Sequence, residues 1–404
     1  MIKFRTFLFT LALCFLPQIV FAQPETVDRP DIAYYFEDVD EGQWLVFGMK
    51  KDTSSYVKLG PHYDNAFGLG VILNYTKLNL LIDGTRFGFT TDISGSPQLR
   101  TYYDTPLGKK RNFMVSLFVN AEREKLPFNS NEVVIGNYHH TFFDGGVAFR
   151  RYLGINHNLG ADIYYRNSSL ILSKDIKEML PELEYLKKFI YRGPEVSFVY
   201  QLNTYDNQLY PKKGARVNIK YRQAFNTKFI SQFYYPDSLN LENEYSESID
   251  PYWQLTVDME SYFRLGDRVS INTEFSFGIS DKDKPLTENF YVGGYRYNLR
   301  ENQVAFVGLQ SHELLHGNYL KEKLALQIEP VSNLFLSALV NILFVSSDYS
   351  KLLKDILSMN DQGRYIGAGA GFTYKTPIGP VSIYLGSRTD AWNPIWYINI
   401  GYTF

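Results

Sequence analysis

The chain of 404 residues carries 41 basic and 43 acidic residues, a formal charge of −2, and a single cysteine. That balance excludes the basic surplus of a nucleic-acid-binding protein, and one thiol excludes a disulfide framework. Aromatics make up 16% of the sequence, with 32 Tyr and 30 Phe, yet past the amino terminus no apolar run approaches the ~20 residues of a membrane helix.

The chain begins with a basic pair, Lys3 and Arg5, followed by an apolar run over residues 6–22 that ends Val20-Phe21-Ala22 before Gln23. This reads as a secretory signal peptide, residues 1–22, cut after Ala22. Pro17 interrupts the run and no Lys or Arg cluster follows it, which disfavours a membrane anchor. Leu13 before Cys14 is too bulky for lipoprotein processing. Losing Lys3 and Arg5 from the 41 basic residues leaves 39 against 43 acidic ones, a charge of −4, and no thiol. Residues 23–53 are a polar periplasmic leader with two strand-like pieces, 32–36 and 44–49, too short for an independent domain.

From residue 54 to 404 the side chains alternate with a period of two, the signature of strands. Phe67, Leu69, Val71, Leu73 and Tyr75 share one face, and Phe113, Val115, Leu117 and Val119 alternate with polar neighbours. Further on, Leu255, Val257 and Met259 oppose Thr256, Asp258 and Glu260. After a turn at Gly266-Asp267, Phe275 and Phe277 oppose Glu274 and Ser276. The last strand sets Trp396, Ile398, Ile400, Tyr402 and Phe404 on one face against Tyr397, Asn399, Gly401 and Thr403. Some ten residues cross a bilayer when tilted, and an apolar face with aromatics at both ends suits lipid between headgroup girdles. An aromatic last residue also resembles the C-terminal insertion signal of bacterial outer-membrane barrels, which makes the barrel assembly machinery an expected partner. The count is sixteen strands. Short links near 78–83, 154–157, 266–268, 331–333 and 378–379 alternate with long ones at 124–137, 173–192, 226–251, 282–318 and 347–363. The expectation is an all-β, 16-stranded antiparallel transmembrane β-barrel over 54–404, with long extracellular loops and both ends periplasmic. Helical spacing of Ile176, Met179, Leu180, Leu183 and Leu186, and a shorter candidate at 349–359, predict two loop helices capping the barrel mouth.

The stretches 56–64 and 73–81 resemble the opening hairpin of barrels in the BamA/TamA outer-membrane assembly superfamily. Residues 367–371, 376–381 and 398–404 are similar to the last three strands of that group. The likeness is strongest to the C-terminal barrel of bacterial patatin-like phospholipases, here without the Gly-x-Ser-x-Gly elbow that the patatin domain needs. It covers roughly residues 54–404, nearly all the mature chain. In the family the sixth extracellular loop carries Val-Arg-Gly-Phe/Tyr and folds into the lumen; the matching residues are Val292, Gly293, Gly294 and Tyr295, with glycine in place of the arginine. The family also carries periplasmic POTRA domains, of which 23–53 holds at most a remnant.

The resemblance implies that the connection 282–317 turns into the lumen with residues 292–296 at its tip. Arg296 is then expected to meet the acidic lumen positions Asp258, Glu260 and Glu274, while Lys220, Arg222, Lys321 and Lys323 balance the interior charge. Closure must pair the first strand with the last, where Pro61 lacks a backbone donor and Gly60 and Gly401 pack little; a short, laterally opening seam is expected. His312-Glu313-Leu314-Leu315-His316 matches a zinc-protease motif, but Gly317-Asn318 and resumed alternation leave no room for its helix. His139 and His140 point to opposite sides of a strand. No catalytic residue, metal or cofactor is expected. The anticipated function is a non-enzymatic outer-membrane barrel that moves or inserts polypeptide or lipid, or secretes a separately encoded exported or periplasmic protein. The alternatives are a passive pore or surface receptor and, remotely, a zinc metalloprotease. The expected partners are outer-membrane lipid and such a protein, with no nucleic acid.

Overall fold

The computed structural model describes residues 45–46, 55–65, 67–109, 111–130, 133–180, 183–207, 210–234, 243–282, 284–295, 302–358, 363–376, 379–391 and 393–401. The expected signal peptide, Arg296, Tyr402 and Phe404 lie outside them, as does most of the leader.

Sixteen antiparallel strands close into a transmembrane barrel. They are β1 (Ser55–Asp64), β2 (Gly68–Leu78), β3 (Arg86–Ile93), β4 (Gln98–Leu107), β5 (Phe113–Ser130), β6 (Val133–Leu153), β7 (His157–Leu172) and β8 (Leu186–Asn203). Then come β9 (Gly214–Ala224, continued by Thr227–Phe233) and β10 (Glu244–Ile249, continued by Tyr252–Arg264). The last six are β11 (Val269–Ser280), β12 (Asn318–Val331), β13 (Leu334–Ser346), β14 (Arg364–Thr376), β15 (Gly379–Arg388) and β16 (Ile395–Gly401). Each strand pairs with its sequence neighbours, and β1 meets β16.

Period two divides the wall into two faces. In β7, Asn158, Asp162, Tyr164, Arg166 and Ser168 are buried inside, whereas Leu159, Ile163 and Tyr165 stand outside. The same rule leaves Leu69, Leu324, Val340 and Trp396 at 76, 53, 52 and 58% exposure. A water-soluble protein would not present such a belt; in the outer membrane it faces acyl chains.

The wall is uneven in height. β5 to β10 carry up to 21 residues per strand, about 70 Å of chain at ~3.3 Å per residue, far more than the 9–11 that cross a bilayer. Two connections expected as loops are therefore partly wall. Residues 124–130 and 133–137 belong to β5 and β6, and 227–233 and 244–249 form the upper ladder of β9 and β10. Above the membrane both faces of the sheet are wet or covered by loops, so alternation lapses while backbone pairing continues.

The loop helices also differ from expectation. α1 spans only Lys174–Met179, and Leu186 already starts β8. Ile176 of α1 packs with Leu126, Tyr138, Leu170 and Tyr291, inside the upper barrel. α2 (Tyr349–Ser358) does not cap the mouth: its Leu352 and Ile356 cover Phe344, beside Ile279, Leu320 and Ile342. These four are outward positions, since their neighbours Leu343 and Lys321 face the lumen. Amphipathic spacing builds the helix but does not say which side of a wall it will cover.

Candidate functional site

The described residues of the connection between β11 and β12, 281–282, 284–295 and 302–317, fold back into the lumen. Their core is a small sheet in which Phe290–Val292 pairs in parallel with Gln303–Val304 and antiparallel with Leu314–His316. Phe290 lies edge-on to Tyr319 of β12, ring centres 4.7 Å apart, and fills the place a side chain at Gly278 of β11 would occupy. Val292, Val304, Phe306 and Leu309 join Leu343 of β13 in one buried cluster.

Gly293 (φ 133°) and Gly294 (φ 84°) reverse the chain. Their amides donate to the Val304 and Leu309 carbonyls at 3.0 Å each, and Phe306 returns a bond to Gly294 at 2.8 Å. A Cβ on residue 293 would stand 1.9 Å from the Gln310 carbonyl oxygen. Only glycine fits that backbone, which accounts for the missing arginine of the family motif.

One end of the loop is held by charge. Glu288 accepts hydrogen bonds from Arg166 of β7 at 2.9 Å and from Arg222 of β9 at 2.7 Å, through the same oxygen. Glu195 of β8 lies 3.5 Å from both guanidinium groups, and Asp144 of β6 is 3.6 Å from Arg166. Burial alone would raise the Glu288 pKa, but the two arginines outweigh it and hold the carboxyl below the usual range. Next to this cluster, Gln303 donates to Glu124 of β5 at 2.8 Å, and Tyr291 packs against His140 and Tyr138 of β6.

The other end is held by shape. Gly369 and Gly386 face each other across β14 and β15, and a Cβ on either would strike the Val307 side chain at 2.6 and 2.3 Å. Gly367 leaves room for the Val307 carbonyl, which accepts from Asn341 of β13 at 3.2 Å. Tyr397 of β16 receives the Gly308 amide and donates to the Leu309 carbonyl, both at 2.9 Å. Tyr295 stacks on Tyr384 at 3.8 Å. Between this part of the loop and Glu274, Lys321 and Asn341 only about 30 Å³ is left, room for about one water.

The predicted lumen charges come together within the wall. Glu274 binds Lys321 and, at 2.7 Å, Lys323. Glu260 takes Arg216 at 3.0 Å and the Tyr205 hydroxyl at 2.8 Å, and Asp258 accepts from Ser276 at 2.5 Å. Lys321 also reaches the loop, donating to the Ala305 carbonyl at 3.1 Å. The three acids thus have wall partners; Arg296, expected to meet them, lies outside the described residues, and among those described the loop acid Glu288 meets wall arginines. Arg166 and Glu288 went unnoticed in the sequence, although Arg166 alternates inward with Tyr164 and Ser168.

The zinc motif forms no helix. His312 is left-handed (φ 59°) and Leu314–His316 is extended. His312 packs on Phe67 and Tyr291, while Glu313 accepts from the Gln310 amide at 2.6 Å. Among the described residues no three metal-ligating side chains converge.

At the seam the described residues of β1 and β16 share three register pairs, His62 with Gly401, Tyr63 with Ile400 and Asp64 with Asn399. β1 pairs with β2 over all ten of its residues. Gly401 is left-handed (φ 97°), and a Cβ there would meet the Pro61 carbonyl at 2.1 Å. Just above, the Asn65 side chain imitates a strand, donating to the Trp396 carbonyl at 2.9 Å and accepting from the Ile398 amide at 2.6 Å. Below, Leu45–Val46 pairs with Leu59 and Lys58, on the edge of β1 left open by β16.

A folded-in loop and the pairing of β1 with β16 coincide with a sequence match: the model of the OMP85 superfamily fits residues 138–404. The chain belongs to the OMP85 superfamily. This OMP85 barrel is similar to BamA from Haemophilus ducreyi lacking POTRA domains 1–3, with TM-score 0.64 and 14% identity over 90% of this chain and 75% of that one. It also resembles CdiB from Acinetobacter baumannii (TM-score 0.51, 13% identity, 86% of this chain and 59% of that one). CdiB from Escherichia coli gives TM-score 0.52 and 10% identity over 86% and 63%. At these identities the likeness establishes the fold, and the chain spans about three-fifths of either CdiB. A comparison with curated proteins finds no match. The OMP85 barrel is a bacterial outer-membrane protein.

Proposed function

We propose that this OMP85 barrel moves or inserts a polypeptide at the outer membrane by opening at the seam between β1 and β16. The observation that carries the reading is that, among the described residues, β1 shares three register pairs with β16 against ten with β2. A ladder with fewer pairs than its neighbour separates at the smaller cost, and the exposed β1 edge is then a template for an incoming strand. The lumen loop supports the same reading. Tied to both walls, it stands across the wide channel of a 16-stranded barrel, which makes the seam rather than the lumen the way out in this reading. The partners in this reading are a separately encoded exported or outer-membrane protein and the surrounding lipid; no step calls for an active site.

The test uses the full chain in proteoliposomes with an unfolded eight-stranded outer-membrane protein as probe. Protease-protected probe should accumulate faster than in empty vesicles. Replacing Tyr63 and Ile400 with a cysteine pair should abolish the gain when oxidised and restore it on reduction. Equal insertion by the oxidised and reduced forms would remove the seam from the mechanism, and steady ion conductance without insertion would favour a pore.

A further inference from the structure

A groove of about 600 Å³ lies in the lipid-facing wall on the side opposite the seam, a size typical of small-molecule sites. Strand register explains it. Along one row, Phe149 of β6, Ala161 of β7 and Phe198 of β8 are direct neighbours, and all three point outward. A methyl group between two rings whose strands lie roughly 10 Å apart leaves a cleft between the rings. One row nearer the periplasmic end the neighbours are Arg151, Leu159 and Tyr200. The groove is thus apolar towards the membrane centre and polar at its periplasmic mouth.

The mouth is basic. Arg151 is exposed and lies over the Phe113 ring at 5.3 Å, with no acidic partner among the described residues. The acids of the neighbouring strands face the lumen and are engaged there, Asp104 with Arg86 and Asp162 with Arg150. Across the mouth His157 and the Tyr200 hydroxyl are joined at 3.0 Å, two amphipathic rings at interfacial depth. An unpaired guanidinium on a lipid-facing surface needs an anion, and at this leaflet edge the membrane supplies phosphate esters.

We propose that the groove binds one phospholipid of the periplasmic leaflet, its acyl chain between Phe149 and Phe198 over Ala161 and its phosphate on Arg151. The site is independent of the seam and of the translocation reading.

Native mass spectrometry of the full chain in mild detergent, with phosphatidylglycerol added, tests this. The wild type should hold one phosphatidylglycerol after excess lipid is stripped. Ala161→Phe fills the groove and should release it. Arg151→Gln should weaken retention roughly tenfold, the effect of losing one charge-assisted contact, while leaving diacylglycerol retention unchanged. Val340→Phe, on a distant lipid-facing strand, is the control and should behave as wild type. Each variant is first checked for the altered gel migration of an unboiled barrel, and Ala161→Leu serves where Phe prevents folding. No retained lipid in the wild type, equal loss in Val340→Phe, or unchanged retention in Ala161→Phe and Ala161→Leu would overturn the proposal. So would inorganic phosphate binding as well as the lipid, since the groove would then contribute nothing.

Discussion

The Glu288 carboxylate and the Arg222 guanidinium meet at 2.7 Å, joining a loop that follows β11 to the inner face of β9. Removing one member of a buried ion pair leaves its partner uncompensated and costs about 3–5 kcal/mol. Glu288→Ala should therefore loosen the loop, lower the unfolding temperature and raise single-channel conductance in planar bilayers. Conductance unchanged from wild type would mean that the glycine-lined side holds the loop alone.

Acid should act on the same contact. Burial raises the Glu288 pKa, but Arg166 and Arg222 bring it below the ordinary glutamate value. The stabilisation is then complete above the unfolded pKa of about 4.3 and is lost as the pH falls through the lower folded value. Conductance should stay flat from pH 7 to 5 and rise only below about pH 4. The rise should be absent in Glu288→Gln, which has no proton to gain.

Gly367→Ala probes the other anchor. A Cβ there would stand 1.9 Å from the Val307 carbonyl, backbone against backbone, so the loop must lift from β14. Crosslinking a cysteine at Val307 to one at Leu339, its neighbour in the buried cluster, should fall in this variant while the barrel stays folded.

At the seam, Gly401→Ala combines a left-handed backbone with a 2.1 Å approach to the Pro61 carbonyl. A cost of at least about 1 kcal/mol is expected from the backbone alone. Hydrogen exchange at Tyr63 should accelerate, while Ile383 and Ile398, paired between β15 and β16, keep their protection. Acceleration of both pairs alike would indicate general unfolding rather than opening of the seam.

Glu322 faces lipid, with Phe275 and Ile342 as its register neighbours, and one of its oxygens is buried without a hydrogen bond. Glu322→Leu should stabilise the barrel by about 1–3 kcal/mol, the usual cost of an unsatisfied polar group, read from denaturant unfolding in lipid. A destabilised Leu variant would show that the carboxylate has a role on the outer wall.

Period two made the barrel legible. Trp396 and Leu324 outside, and Asp258 and Glu274 inside, follow from counting alternate residues. The place of the lumen loop came from the resemblance at Val292, Gly293, Gly294 and Tyr295. The pairing of charges was not legible, because Arg166 and Glu288 are separated by 122 residues and any inward arginine satisfies the same pattern. Nor was the side covered by α2: Leu352 and Ile356 demand an apolar surface, and both the lumen and the outer wall offer one. The ladder through residues 124–137 was hidden for a third reason. Arg123, Glu124 and Lys125 in sequence look like a solvated loop, yet backbone hydrogen bonds do not depend on side-chain polarity.

The two anchors of the lumen loop lie on opposite sides of it in the sequence, and that sets an order in time. Arg166, Arg222 and Glu124 precede the loop, whereas Asn341, Gly367, Gly386 and Tyr397 follow it. If strands assemble from the amino terminus, a curved sheet of β1 to β11 already offers the charged half of the berth. The loop settles there first and becomes the mandrel around which β12 to β16 are wrapped. A closed cylinder would have to admit some thirty-five residues through its mouth; an open one need only receive them. The loop is in this sense a former for the last third of the barrel, and sequences that delay its docking should stall assembly before the two edges meet.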